Sequence, residues 1–162
     1  MSRVDIILVS YNTAEYTIRA IQSVFEQTKQ TNVNLIVVDN DSTDNSVERI
    51  RNEFPEVTLI ESGANLGFAG GVNLGAKDGD AEYVLLLNPD TVILDGAIDK
   101  LVSFAETHPL SGVWGGVTLN NDLSLNPNNA RARISFSTLL FSATGLSKVF
   151  RKSCFFNNDN YG

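Results

Sequence analysis

The 162-residue sequence contains one cysteine, Cys154, and one histidine, His108. A single cysteine excludes an internal disulfide and a cysteine-only metal cluster. A single histidine excludes a multi-histidine zinc centre. Positive charge is scarce too: 12 Lys and Arg stand against 19 Asp and Glu, a net charge of −7. That balance argues against nucleic acid as a partner, because neutralising phosphates requires a basic face. No glycine-lysine-serine/threonine triplet occurs, which excludes a P-loop. The exit from the first apolar run, Val9-Ser10-Tyr11-Asn12-Thr13, lacks the glycine-x-glycine turn of a dinucleotide-binding strand. No secretory leader is expected, since Arg3 and Asp5 interrupt its apolar stretch. These absences predict a cytosolic protein of a reducing compartment.

What is present fits one globular domain, with 43% hydrophobic residues and no repeat or low-complexity tract. Val4-Asp5-Ile6-Ile7-Leu8-Val9, Leu35-Ile36-Val37-Val38, Val57-Thr58-Leu59-Ile60 and Tyr83-Val84-Leu85-Leu86-Leu87 are short apolar runs. Runs of this kind form strands buried on both faces. Between them, Ile18, Ile21, Val24 and Phe25, then Val47, Ile50 and Phe54, recur at helical spacing. Asn12 with Glu15 predicts a capping box for the first helix. Ser42 and Thr43 predict caps for the second, with Asp44 near its positive end and Pro55 as its stop. A later helix is expected from near Asp95, carrying Ile98, Leu101, Val102 and Ala105 inward and ending at His108-Pro109. Val113-Trp114 and Val117-Thr118-Leu119 predict a further strand, interrupted by Gly115-Gly116. The alternation predicts an α/β fold: a mostly parallel, Rossmann-like sheet with helices on both faces.

In such a sheet, ligands bind beyond the carboxyl ends of the strands. The segments there are Ser10-Tyr11-Asn12, Asp39-Asn40-Asp41, the glycine-rich residues 65–73 and Asn88-Pro89-Asp90. Each alone could be a turn; four on one sheet edge describe a pocket. The stretch Asp39-Asn40-Asp41-Ser42-Thr43-Asp44 superficially resembles a calcium loop. It fails that test, because Asp44 stands where the sharp-turn glycine belongs and Ile50 where the bidentate glutamate belongs.

Four motifs occur in order: Val9-Ser10-Tyr11-Asn12, Val37-Val38-Asp39-Asn40-x-Ser42-Thr43-Asp44, Asn65-x-Gly67-Phe68-Ala69-x-Gly71-x-Asn73 and Leu87-Asn88-Pro89-Asp90. Together, over about residues 1–120, they resemble family 2 glycosyltransferases of the GT-A fold, most of all the bacterial rhamnosyltransferase-like branch. The resemblance implies an inverting hexosyltransferase acting on a nucleotide-diphosphate sugar, either dTDP-rhamnose or a UDP-sugar. It implies as acceptor a bacterial surface polysaccharide or a lipid-linked glycan. Asp39 would accept the imide N–H of uracil or thymine, with Ser10, Tyr11, Asn12 and Asp41 around base and ribose. Residues 65–73, with Asn65, Gly67, Phe68, Gly71 and Asn73, would be a loop that lets backbone approach the nucleotide. Asn88-Pro89-Asp90 replaces a strict Asp-x-Asp, and Asp90 would hold Mg2+ or Mn2+ on the donor diphosphate. Structural roles stay open beside these. Asp39 can be a helix N-terminal acid, Ser10 and Asn12 can cap a helix, residues 65–73 can start one, and Asn88-Pro89 can be a turn.

Residues 1–120 therefore read as the donor-binding core, with 7 basic and 17 acidic side chains. Residues 121–162 read as the incomplete start of an acceptor-side region. They carry Arg131, Arg133, Lys148, Arg151 and Lys152 against Asp122 and Asp159. The family's catalytic base, an acid beside another acid, has no match there, so the base is unassigned and the chain reads as truncated. A catalytically inactive nucleotide-binding module is the alternative. A sugar nucleotidyltransferase fits less well, because Ser10-Tyr11-Asn12 is not its glycine-rich basic motif. Residues 134–150, with Phe136, Leu139, Leu140, Leu146 and Phe150, are too polar to span a bilayer. They suit packing on the sheet, peripheral contact with the inner face of the plasma membrane, or association into a homo-oligomer.

Overall fold

Four apolar runs form one parallel sheet in the computed structural model, which describes residues 3–126 and Thr144. The strands are β1 (Arg3–Ser10), β2 (Asn32–Asp39), β3 (Thr58–Glu61) and β4 (Tyr83–Leu87), in the spatial order β3-β2-β1-β4. Helices α1 (Ala14–Gln27), α2 (Ser46–Glu53), α3 (Gly67–Ala76) and α4 (Ala97–Thr107) complete the alternation. The expected fold class is therefore present. The chain divides into two compact units, Met1–Trp114 and Gly115–Gly162.

The central strands explain the unbroken apolar runs, since both of their faces are covered. On one face, Val4, Ile6, Leu8, Leu35 and Val37 join Ile18, Ile21 and Val24 of α1, Ile50 of α2 and Ile98 of α4. Each such side chain contributes about 1.5–3 kcal/mol on full burial, before conformational entropy is subtracted. On the other face, Ile7, Val9, Ile36 and Val38 meet Val72 and Leu74 of α3. Helix α3 lies close to the sheet because it presents glycine there. A Cβ on Gly71 would stand 2.7 Å from Val9 Cγ1, and one on Gly75 would stand 2.8 Å from Ile7 Cγ2. Strand β4 is covered on one face only, leaving Val84 and Leu86 exposed.

Three local expectations are corrected. Most of the glycine-rich segment expected as a loop is helix α3, because packing of Gly71 and Gly75 on the sheet outweighs their poor helix propensity. The strand expected at residues 113–119 is absent. Val113 and Val117 are exposed, and the only bridge in this stretch pairs Leu119 with Leu125 in antiparallel sense. Trp114 instead packs edge-on against Tyr83, with centroids 5.8 Å apart. The capping expectations also change, as described below. Helix α4 does end at His108, whose ring stacks on Phe104 at 4.0 Å. Apart from Thr144, the segment at residues 134–150 lies outside the described residues, as do the five late cations, Cys154 and Asp159. No helix among the described residues is long and apolar enough to cross a membrane.

Candidate functional site

Because all four strands run in parallel, their carboxyl ends share one edge. The register sets Ser10 beside Asp39 and Asp39 beside Glu61, while Leu87 pairs with Leu8, so that Asn88, Pro89 and Asp90 leave the same edge. The four candidate segments are thus brought to one place by strand pairing.

The loops after β1 and β2 are laced together. Asn12 adopts a left-handed conformation with φ 53°, a region that asparagine tolerates better than most residues. Its backbone N–H donates to Ser42 Oγ at 2.9 Å, and its side-chain Oδ1 accepts the Thr43 N–H at 2.8 Å. Asp44 Oδ2 accepts the Ala14 N–H at 3.1 Å, while Oδ1 accepts the Ser46 N–H at 3.0 Å. One carboxylate therefore caps the N-termini of two helices. Desolvation alone would raise its pKa, but the hydrogen bonds from Ser46 and Ala14 prevail and hold it below the ordinary value. The expected caps are displaced by this arrangement. Asn12 serves the neighbouring loop, Glu15 pairs with Arg49 at 2.5 Å, and Ser42 and Thr43 precede α2 without capping it.

Ser10 turns inward, fully buried, and its hydroxyl lies 2.9 Å from Thr17 Oγ1 and 3.1 Å from Thr13 Oγ1. Its side chain fastens β1 to α1 and does not face the edge. Asp39 is the most informative member of the site. It is only 3% exposed, and its Oδ2 accepts the Ser42 N–H at 3.0 Å. Its Oδ1 is buried with no hydrogen-bond partner among the described residues. Buried polar atoms are ordinarily matched, so a free carboxylate oxygen at a sheet edge is a position for an incoming N–H or O–H donor.

Asn40, next in the chain, is equally buried and holds the third loop. Its Oδ1 accepts the Leu66 N–H at 2.9 Å, and its Nδ2 donates to Asn65 Oδ1 at 2.9 Å. Gly67 then turns left-handed at φ 69°, which a side chain would strain, and starts α3. Asn65, Leu66, Gly67, Phe68 and Asn73 are exposed on this flank, whereas Gly71 faces Val9. Tyr11 is 49% exposed, and Asp41 is exposed with φ 71°. Sequence reasoning assigned no site role to Asn40 and foresaw Asp44 only as a charge near α2. Asn40 acts on residues 25 to 27 positions away and Asp44 on Ala14, 30 positions away, through contacts that no local pattern encodes.

At the end of β4, the Asn88 carbonyl accepts the Thr91 N–H at 3.1 Å, closing a turn that leaves Asn88 and Asp90 exposed. No group of three metal-ligating acids, histidines or cysteines occurs among the described residues. The Asp90 carboxylate is a hard oxygen donor and fits one position of a magnesium or manganese shell. The remaining positions would fall to ligand oxygens and water. In the other unit, the Asp122 carboxylate is engaged by the Ser124 N–H at 3.0 Å and by the Ser124 hydroxyl.

Comparison with known proteins gives a consistent picture. The family model "Glycosyl transferase family 2" matches residues 5–159. The chain is 31% identical over 134 residues to an N-acetylglucosaminyl-diphospho-decaprenol L-rhamnosyltransferase of Mycobacterium tuberculosis, covering 76% of this chain and 43% of that protein. It is 29% identical over 164 residues to the poly(ribitol-phosphate) beta-N-acetylglucosaminyltransferase TarP of Staphylococcus aureus, covering 94% of this chain and 50% of that protein. The chain thus spans half or less of these relatives' length. Among solved structures, a Pyrobaculum calidifontis mannosyltransferase in complex with GDP-Man and Mn2+ superposes with a TM-score of 0.61 at 22% identity, over 79% of this chain and 37% of that one. S. aureus TarS 1-349 in complex with UDP-GlcNAc superposes with a TM-score of 0.58 at 23% identity, over 66% of this chain and 32% of that one. At those identities the likeness shows the GT-A fold alone.

Proposed function

The chain belongs to glycosyl transferase family 2, and we propose that it is the donor-binding part of an inverting hexosyltransferase using a dTDP- or UDP-sugar. The acceptor is a bacterial surface polysaccharide or a lipid-linked glycan. The observation that carries the donor assignment is the unpartnered Oδ1 of buried Asp39. Uracil and thymine both present an imide N–H, and a carboxylate oxygen with a free lone pair complements it. Tyr11 and Asn12 follow β1 on one side of β2, and Asn65, Gly67, Phe68 and Asn73 follow β3 on the other. Asp41 follows β2 itself. Ser10 and Gly71 support this edge from within, as their burial dictates.

Asp90, with Asn88 beside it, would hold a divalent cation, which when bound neutralises charge on the leaving nucleoside diphosphate. In an inverting transfer, the acceptor hydroxyl forms its bond to the anomeric carbon as the bond to the diphosphate breaks, and its proton passes to a carboxylate base. No residue of this chain is assigned that role. A lipid-linked acceptor would place the reaction at the cytoplasmic membrane face, with residues 134–150 as the peripheral contact.

Titration of UDP and of dTDP, with and without Mn2+, by calorimetry tests the assignment. Metal-assisted binding of at least one diphosphate is expected. Asp90→Ala should abolish the metal dependence and leave the fold intact, because the side chain is exposed. No binding of either nucleotide would sink the donor site, and binding without turnover on any acceptor would favour a nucleotide-binding module.

A further inference from the structure

Asn40 follows Asp39 at the end of β2, and the donor chemistry gives it no part, yet it is 3% exposed. Its backbone N–H donates to the Ser10 carbonyl at 2.8 Å. Its Oδ1 accepts the Leu66 N–H at 2.9 Å, and its Nδ2 donates to Asn65 Oδ1 at 2.9 Å and lies 3.4 Å from the Gly67 carbonyl. Asn65 Oδ1 also accepts the Gly67 N–H at 3.0 Å, so the latch closes on itself. One buried amide thus holds three successive residues of the β3–α3 connection against the end of β2.

The buried Asn40 amide needs these partners, but the residues it holds do not need Asn40, because Asn65, Leu66 and Gly67 are all exposed to solvent, which could serve them. What the latch adds is a fixed starting point for α3 beside the strand end that carries the free Asp39 oxygen. A loop ordered before binding does not have to be ordered by the ligand, and affinity rises by the ordering cost avoided.

We propose that Asn40 is a positioning residue of the donor site: by latching the Asn65-Leu66-Gly67 turn to the end of β2, it raises nucleotide affinity without touching the nucleotide. The proposal rests on the donor-site reading above, and the two are separable by experiment. UDP with Mn2+ is titrated calorimetrically into the full chain, as wild type, Asn40→Ala, Asn65→Ala, the double variant, and Asp39→Asn as a site control. Each single latch variant should bind about tenfold more weakly, the order expected when a few loop residues must be ordered on binding. The losses should be less than additive in the double variant, since the two single variants share the Asn40–Asn65 hydrogen bond, while Asn40→Ala also loses the Leu66 contact. Amide exchange at Leu66 should accelerate in Asn40→Ala.

A purely structural role would lower Tm while leaving the affinity of the folded protein unchanged well below it, and that result overturns the proposal. Additive losses overturn it too, because Asn65 would then act on the nucleotide by itself. Where Asn40→Ala fails to fold, Asn40→Asp takes its place in the single and double variants, keeping the acceptor for the Leu66 N–H and losing the donor to Asn65. If Asp39→Asn weakens UDP binding and neither latch variant does, the positioning role fails and the donor site stands. If wild type binds no nucleoside diphosphate, both fail together.

Discussion

Asp39→Asn should move stability and nucleotide affinity in opposite directions. In the free protein, one carboxylate oxygen accepts the Ser42 N–H at 3.0 Å, and the other is buried without a partner. Asparagine keeps the first contact by turning its carbonyl oxygen toward Ser42, and it removes a buried formal charge. An unmatched buried polar atom costs about 1–3 kcal/mol, and more when charged. The new amide NH2 is itself unmatched, so only the difference is recovered, about 1 kcal/mol. For a domain of this size, that corresponds to a Tm higher by about 4 °C.

With nucleotide the sign reverses, because an acceptor has become a donor facing an imide N–H. Loss of a hydrogen bond to a charged group costs about 1.5–3 kcal/mol, or about 10- to 150-fold in Kd. Scanning calorimetry gives the first quantity and titration calorimetry with UDP the second. A variant with lower Tm and unchanged affinity would show that Asp39 serves only its own turn, and the site assignment would fall. A rise in Tm with unchanged affinity would keep the burial argument and remove the ligand.

Three further outcomes follow from the packing and the caps. Asp44→Ala uncaps α1 and α2 together and should lower stability by about 2 kcal/mol, roughly twice a single cap, as read from denaturant midpoints. A loss no larger than that of an exposed surface substitution would mean that the double cap is not formed in solution. Gly75→Ala gains up to about 1 kcal/mol of helix propensity but forces a methyl to within 2.8 Å of Ile7 Cγ2 and 3.1 Å of Val38 Cγ2. Overpacking of about 1–3 kcal/mol should leave it less stable, and a stabilised variant would contradict the close approach of α3.

Asp99 accepts the N–H groups of Lys29, at 2.8 Å, and Thr31, at 2.9 Å, with Gln30 between them at 3.2 Å. Desolvation opposes ionisation there, but these bonds prevail and hold its pKa below 3.8. Its folded value being depressed, the stability it contributes is present above about pH 4 and is lost as pH falls through the folded value. The stability difference between wild type and Asp99→Asn should therefore be flat near neutrality and shrink in acid. A difference that grows on acidification would reverse that sign.

The sheet was legible because its central strands are apolar on both faces, which leaves continuous runs such as Ile6-Ile7-Leu8-Val9 and Leu35-Ile36-Val37-Val38. Helix α1 was legible for a related reason, its single apolar stripe. Helix α3 was less so. Its sequence, GFAGGVNLGA, has glycine where a stripe would have large side chains, and it is held as a helix by close contact with Val9 and Ile7. The strand expected at residues 113–119 shows the opposite error: local β propensity at Val113 and Val117 finds no neighbouring strand among the described residues.

The candidate site divides along the same line. Its membership could be read from the chain, since polar and acidic residues follow each strand end, and Asp39, Asn88 and Asp90 stand in motifs of a known family. Local sequence therefore carried the fold class, the sheet edge that holds the candidate site and the identity of the acids there. Folding settled how those groups are used. It left one oxygen of Asp39 free and engaged the other, sent Asp44 to cap two helices, turned Ser10 inward, and made Asn40 a tie between loops. The physical reason is that Asn, Asp, Ser and Thr can satisfy their own turn or a distant backbone equally well. Which partner each takes depends on contacts formed only when parallel strands bring residues 12, 43 and 65 to a common edge.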